Sequence, residues 1–337
     1  MILMLCGFPA LMLCGYLFTH YLIRIAHQKQ LLDVANHRSS HTQATPRIGG
    51  ISFVVIISFV FCGATFFLER EFSTRILLFS LFPAVAVATT GLIDDITGLS
   101  QRTRLLVYWV CSVLVLGNAS SMLLNQPLWL MLIDGIALSA ALTWLTNLFN
   151  FMDGIDGIAA SQGVFILIAL AYFSYTRNGT EFSTLLIYSC APLLGFLFVN
   201  WSPARIFMGD IGSTFLGSII GSLILLAIHK SFINIYAAFI LLGCFSVDAT
   251  WTLCYRIFTG QHWYQAHRSH SYQILSRRMG SHQRVTLLYG SINMFWLFPL
   301  AQIAQNYSQH ALLITTIALL PLCIACFIIG AGKVTSN

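Results

Sequence analysis

Residues Gly212–His229 read GSTFLGSIIGSLILLAIH, a run without one Asp, Glu, Lys or Arg, closed off by Asp210 before it and Lys230 after it. A hydrocarbon layer about 30 Å thick takes roughly 20 helical residues to cross, so a block of this length and composition is a candidate membrane span. Comparable blocks occupy residues 1–23, 49–68, 76–93, 105–124, 130–150, 158–176, 183–199, 234–255, 286–304 and 311–331, which predicts about eleven spans. Backbone groups in lipid must satisfy their own hydrogen bonds, so the expected fold is all-α, a polytopic integral membrane helical bundle. No repeat or polar linker divides the blocks, and residues 1–337 are expected to form a single membrane-embedded domain. Met1–Ile23 is longer than a signal-peptide core and shows no small-residue cleavage pattern before the first basic residue. It is expected to remain as the first helix.

Composition supports the same reading. The chain is 57% hydrophobic and 8% charged, whereas a soluble domain carries roughly 25% charged residues. Charge this sparse cannot coat a water-exposed surface, so the net charge of +6 is read as membrane topology and not as nucleic-acid binding. With the amino terminus periplasmic and the carboxyl terminus cytosolic, only Arg70, Arg75, Arg177 and Lys230 lie outside; every other Lys and Arg lies on the cytosolic side. The cytosolic loops then run over about 24–48, 94–104, 147–157, 200–211 and 256–285. All nine cysteines fall in apolar blocks, and an odd number cannot pair completely, so no disulfide framework is expected. The CxxC of Cys323 and Cys326 is read as packing within a span.

The acidic residues are distributed unevenly. Asp33, Asp94, Asp95, Asp153, Asp156 and Asp210 fall in or beside the cytosolic loops, and no glutamate does. Short aspartates beside glycines suit a metal and a phosphate better than they suit solubility. In GLIDDITGLSQRTRL, Asp94 and Asp95 are adjacent like charges that call for a compensating cation, and Arg102 and Arg104 follow closely enough to neutralise them or to grip phosphate. A stop signal with a helix cap is the plainer alternative. In NLFNFMDGIDGIAA, from Asn147 to Ala160, polar residues recur at Asn147, Asn150, Asp153 and Asp156, each next to the following one on a helical surface. Gly154 and Gly157 loosen the backbone there and permit close approach of a ligand; a kinked helix with a polar cap is the simpler reading.

Two further loops complete the set. In NWSPARIFMGDIGS, Pro203 and Gly209 shape a turn from which Asp210 projects as a metal ligand or a helix cap. Gly212 and Ser213 begin a helix whose first amides face a phosphate. The loop from Arg256 to Arg284 contains GQHWYQAHRSHSYQ, with His267 and His270 at i, i+3 but no cysteine or glutamate, which disfavours zinc. With Arg268 between them, a phosphate or sugar clamp fits better. Trp263, Tyr264 and Tyr272 are read as interfacial anchors. Asp248 lies well inside a span, where either a functional role or a hydrogen bond to a neighbouring helix accounts for it.

Taken in order, these segments resemble the polyprenyl-phosphate N-acetylhexosamine-1-phosphate transferase family, a glycosyltransferase family 4 type. The likeness runs from LLDVANHRSSHTQATPRIGG at Leu31 to HRSHSYQ at His267. The RSSH segment, the Asp-Asp-x-x-Gly-Leu form and the HRSH loop are more similar to the O-antigen initiating branch than to the muramoyl-pentapeptide translocase branch. Gly98 and Ile48 depart from the pattern: Gly98 stands where some branches carry an acid or a lysine, and Ile48 interrupts a run of glycines before Gly49 and Gly50.

The resemblance implies Mg²⁺-dependent transfer, with Mn²⁺ as the alternative ion, of an N-acetylated sugar 1-phosphate from a UDP-sugar to undecaprenyl phosphate. It implies a bacterial cytoplasmic membrane, a cytosol-facing site and no nucleic acid, and it is compatible with a homodimer. Asp94 and Asp95 would be the catalytic pair; Asp210 would hold the metal with Asn150 as helper. Asn147, Asp153, Asp156, Arg38, Ser39, His41, Thr45, Arg47, His267, Arg268 and His270 would contact substrate. Direct attack and a covalent aspartyl intermediate both stay open, as does the identity of the sugar. A transporter of nucleotide sugars or other anions is the rival from another class, but transporters commonly place acids near the midplane in duplicated halves. Here the acids sit at one face, and no motif is duplicated.

Overall fold

The computed structural model describes residues 2–30, 32–33, 44–262 and 267–333. In chain order its helices are α1 (Ile2–Gln28), α2 (Gly50–Ala64), α3 (Arg70–Thr97), α4 (Gln101–Leu124), α5 (Leu128–Met152), α6 (Ile158–Tyr175), α7 (Thr180–Asn200), α8 (Gly209–His229), α9 (Ile235–Leu241), α10 (Gly243–Phe258), α11 (Ser271–Met279), α12 (His282–Asn306) and α13 (Ser308–Ile329). Every apolar block of the sequence becomes helix, and the all-α membrane bundle is observed.

The blocks are not equivalent spans, however. Among the described residues nine helices are individually long and apolar enough to cross a membrane, and α9 with α10, bent by 76° at their junction, makes a tenth. The remaining block, α2, has 15 residues, or about 22 Å at 1.5 Å per residue, short of the hydrocarbon thickness. It starts late because the chain before it is committed elsewhere. Phe207 N donates to Pro46 O (2.8 Å), Gly49 N to Phe207 O (3.0 Å) and Gly50 N to Met208 O (3.0 Å), so residues 46–50 are laced to the segment that opens α8. A small antiparallel ladder, Leu32 with Pro46 and Asp33 with Thr45, lies in the loop before α2.

Helix α8, built on the run that opens the sequence argument, is the axis of the bundle. In its most apolar window 94% of residues are buried, against 17% in α13, which is the more hydropathic of the two. Hydropathy therefore does not say which helix is central: lipid is as apolar as a protein core, so helix association depends on close packing of small residues and on interhelical polar contacts. A Cβ at Gly212 would come within 3.0 Å of the Gly50 Cα, and one at Gly217 within 2.7 Å of the Thr146 Cα, which brings α2 and α5 onto α8. Polar contacts add direction. The π-helical turn Leu77–Leu81 within α3 frees the Phe79 carbonyl, which accepts from Asn118 Nδ2 (3.0 Å) and Ser222 Oγ (3.1 Å), joining α3, α4 and α8 in the buried interior.

Candidate active site

The amino-terminal end of α8 collects the acidic segments. Gly209 adopts φ +69°, and a Cβ there would lie 2.1 Å from Arg47 O and 2.7 Å from Asp95 Oδ2, so only glycine lets the chain turn this tightly under both. Gly91 of α3 likewise lies against the Asp210 carbonyl, where a Cβ would approach within 2.6 Å. These contacts set the end of α3 beside the start of α8. Asp95 Oδ2 then accepts from the backbone N–H of Asp210 (2.9 Å) and Ile211 (3.5 Å). The expectation that free amides at this helix start meet a phosphate is therefore corrected: α8 begins at Gly209, and its first amides are taken by Asp95.

Two arginines bind the cluster from other segments. Arg47 lies 3.3 Å from Asp95 Oδ1 and 3.7 Å from Asp210 Oδ1. Arg104 pairs closely with Asp94 and lies 3.1 Å from Asp210 Oδ2. Asp94 also accepts from Leu99 N (2.6 Å) across the left-handed Gly98 (φ +70°) that ends α3. The Gly98 departure thus has a local reason, since a residue at this φ is favoured to be glycine. Asn150 stands beside Asp210 from the end of α5. Asp153 lies within electrostatic range, and its carboxyl is pushed well above the usual carboxylate range, first by burial and then by the Asp210 charge, with Arg47 opposing.

Three carboxylates, Asp94, Asp95 and Asp210, therefore face two guanidiniums, an excess of negative charge that would favour a divalent cation. The donors are all oxygen, as Mg²⁺ prefers. Among the described residues no group of three or more His, Cys, Asp or Glu is arranged to hold a metal alone. An oxygen-ligated ion placed here would meet Asp210 and Asn150.

Other candidates fall elsewhere. Asp156 is 8% exposed and is committed to the scaffold: its carboxylate accepts from Ala204 N (3.2 Å) and lies 3.2 Å from His282 Nδ1, and its carbonyl accepts from Thr286 Oγ1 (2.9 Å). Burial raises its pKa, but the bond and charge of His282 outweigh burial and hold it below the usual range. Asn147 donates to Thr143 O of its own helix (2.9 Å). Arg102 is exposed and makes no ion pair among the described residues. Thr45 is buried at the ladder, while Arg38, Ser39 and His41 lie outside the described residues, as do Trp263 and Tyr264.

The HRSH loop is moored beside the acidic cluster. Asp248 is 2% exposed and accepts from Ser271 N (2.8 Å), Tyr272 N (3.0 Å) and Tyr289 Oη (2.8 Å), so it caps α11. Of the two readings of Asp248, the hydrogen-bonded one is observed. His270 Nδ1 lies 3.7 Å from Asp248, an ion-pair distance and too long for a hydrogen bond. Tyr272, expected as an interfacial anchor, is instead fully buried and donates to Phe151 O (2.8 Å). A Cβ at Gly154 would lie 2.1 Å from that hydroxyl, so the close approach permitted by Gly154 belongs to protein and not to a ligand. His267 accepts or donates at Ser269 Oγ (3.0 Å), and burial, with His270 and Arg256 adding to it, pushes its imidazole down to about 3. Sequence reasoning gave no role to Asn200, which is 2% exposed. Its side chain accepts from Gly157 N (3.1 Å) and donates to Ile206 O (2.9 Å), joining the two acidic loops, and a polar residue ending an apolar block was the only signal.

With this geometry in view, sequence relationships point to a family. The profile of Glycosyl transferase family 4 matches residues 76–228, which hold Asp94, Asp95, Arg104, Asn150, Asp153 and Asp210. Over that stretch the chain is similar to glycosyl transferase family 4. It is 28% identical over 297 residues to a Bacillus subtilis protein named "Probable undecaprenyl-phosphate N-acetylglucosaminyl 1-phosphate transferase", covering 86% of this chain and 81% of that one. It is 31% identical over 213 residues to the decaprenyl-phosphate N-acetylglucosaminephosphotransferase of Mycolicibacterium smegmatis, covering 55% of this chain and 50% of that one. To the phospho-N-acetylmuramoyl-pentapeptide-transferase of Petrotoga mobilis it is 32% identical over 230 residues, 59% of this chain and 64% of that one. The family match ends at residue 228, so Asp248 and the HRSH loop lie beyond it and rest on geometry alone.

Proposed function

We propose that this chain transfers an N-acetylated sugar 1-phosphate from a UDP-sugar to undecaprenyl phosphate, the first membrane step of O-antigen or a related envelope glycan. The convergence of Arg47, Asp94, Asp95, Arg104 and Asp210 on one helix terminus carries the reading, and the names of the relatives support it. In this reading the bundle lies in the bacterial cytoplasmic membrane with its amino terminus periplasmic and the cluster facing the cytosol. The positive-inside distribution of Lys and Arg supports that orientation.

Two polyanions must meet, so charge neutralisation is the main physical task. An oxygen of the lipid phosphate forms a bond to the phosphorus that carries the sugar, and the bond from that phosphorus to the bridging oxygen of the diphosphate breaks, releasing UMP. Arg47 and Arg104, held by carboxylates at the rim, offset charge on the transferring phosphoryl. Asp94 or Asp95 takes or orients the proton of the lipid phosphate. Mg²⁺ bound by Asp210 and Asn150 would supply electrostatic stabilisation of the diphosphate oxygens. The HRSH loop, fixed by Asp248 and Tyr272, brings His267, Arg268 and His270 to the sugar-phosphate side.

Purified protein supplied with radiolabelled UDP-GlcNAc, undecaprenyl phosphate and Mg²⁺ is expected to yield labelled lipid and UMP, and chelation is expected to stop it. Uptake of intact UDP-sugar into vesicles without lipid product would instead support the transporter. A panel of UDP-linked GlcNAc, GalNAc, FucNAc and QuiNAc donors in the same assay identifies the sugar.

A further inference from the structure

Tyr108 stands one turn after Arg104 on α4, and residues four apart share a helix face. The side chain is 1% exposed and packs against Val87 of α3 and Cys111. Its hydroxyl is buried and has no hydrogen-bond partner among the described residues. It lies within electrostatic reach of Asp210, Arg104, Asp94 and Asp95. A phenylalanine would fill the same apolar space, so the hydroxyl is not explained by packing. A buried donor left unpaired costs free energy, and such groups call for a specific explanation.

The surrounding acceptors are already engaged. Asp94 is held by Leu99 N and Arg104, and Asp95 by two amides of α8 and Arg47. The hydroxyl, unpaired among the described residues, stands within reach of Arg104, a guanidinium that the transferase reading places on phosphate. We propose that Tyr108 is a phosphate-contacting residue of the reaction, its hydroxyl donating a hydrogen bond to a phosphoryl oxygen of bound substrate. This inference rests on the transferase reading above. Both substrates present that chemistry. Tyr108 lies about 6 Å deeper along its helix than Arg104, on the bilayer side of the cluster, which suits the lipid phosphate.

The experiment is Tyr108→Phe in the full-length protein, assayed for lipid product with each substrate varied separately and melted with and without ligand. A lost hydrogen bond to a charged partner should lower kcat/KM about 10- to 100-fold. A rise in KM for undecaprenyl phosphate assigns the contact to the lipid, a rise in KM for UDP-GlcNAc assigns it to the nucleotide, and a fall in kcat alone assigns it to the transferring phosphoryl. Because the hydroxyl bonds nothing among the described residues, the melting temperature of the variant should equal or exceed that of the wild type, while the stabilisation that either substrate confers should shrink. Wild-type activity in Y108F would overturn the inference. So would a lowered melting temperature or failure to fold, because either marks a structural hydroxyl. A wild-type protein that makes no lipid product would instead overturn the transferase reading itself.

Discussion

One buried carboxylate and one half-buried group of carboxylates sit near the same end of this bundle, and they are built on opposite principles. Asp248 is saturated: two backbone amides and one tyrosine hydroxyl donate to it, and His270 stands beside it. The cluster of Asp94, Asp95 and Asp210 is overfilled, with three acids against Arg47 and Arg104. Saturation fixes a scaffold, since every lone pair that burial strips of water is given a donor. An excess of charge stores electrostatic free energy that a bound cation would release. The contrast also bears on the bent α9–α10 pair. A broken helix is a transporter feature, but the acid that follows the break is spent on capping α11.

The sharpest way to break the comparison is to remove one acid from each. Asp210→Asn should lower transfer by about 1,000-fold, the scale of losing a central electrostatic group, with the melting temperature unchanged or raised because a repulsive charge is gone. Near-normal turnover would remove Asp210 from the chemistry. Asp248→Asn should do the converse. Its amide cannot accept at both positions, so stability should fall by about 2–4 kcal/mol, read as a lower denaturation midpoint in detergent, with activity falling through displacement of the HRSH loop.

A smaller effect is expected at the seam between the two regions. Gly154→Ala places a methyl against the Tyr272 hydroxyl, and overpacking of this kind costs about 1–3 kcal/mol; proteolysis should become faster between α10 and α12. The smallest effect is a pH slope. The imidazole of His267, pushed down to about 3, stays neutral in the folded protein, while in the unfolded chain it titrates near 6.5. The unfolded state then binds the additional proton, so this residue makes stability fall as pH drops from about 6.5 to about 3. His267→Gln should flatten that part of the melting-temperature profile, and an unaltered slope would place the imidazole in water.

Much of the site was legible in the chain. Asp94, Asp95, Asn150 and Asp210 were identifiable because charge and amide groups at the edge of an apolar run have few structural uses. Arg104 was identifiable through its place after the acidic pair. Asp156 was expected on one helical surface with Asp153, yet α5 ends at Met152 and the chain turns before Asp156, which pairs with His282. Tyr272 was misassigned: an aromatic residue in a polar loop looks the same whether it meets lipid headgroups or a distant carbonyl.

The sequence by itself determined that this is a helical membrane protein, because solvent dictates that outcome: a chain with 8% charge and block after block of apolar residues has no other way to satisfy its backbone in lipid. It also determined which segments bring carboxylates to the candidate site. Only the tertiary structure decided which helix lies at the centre, how Asp95 and Arg47 meet the start of α8, and that Asp248 serves the scaffold. Those outcomes depend on contacts between residues far apart in the chain, where a missing Cβ at Gly91 or Gly209 sets the approach, and hydropathy is blind to such distances.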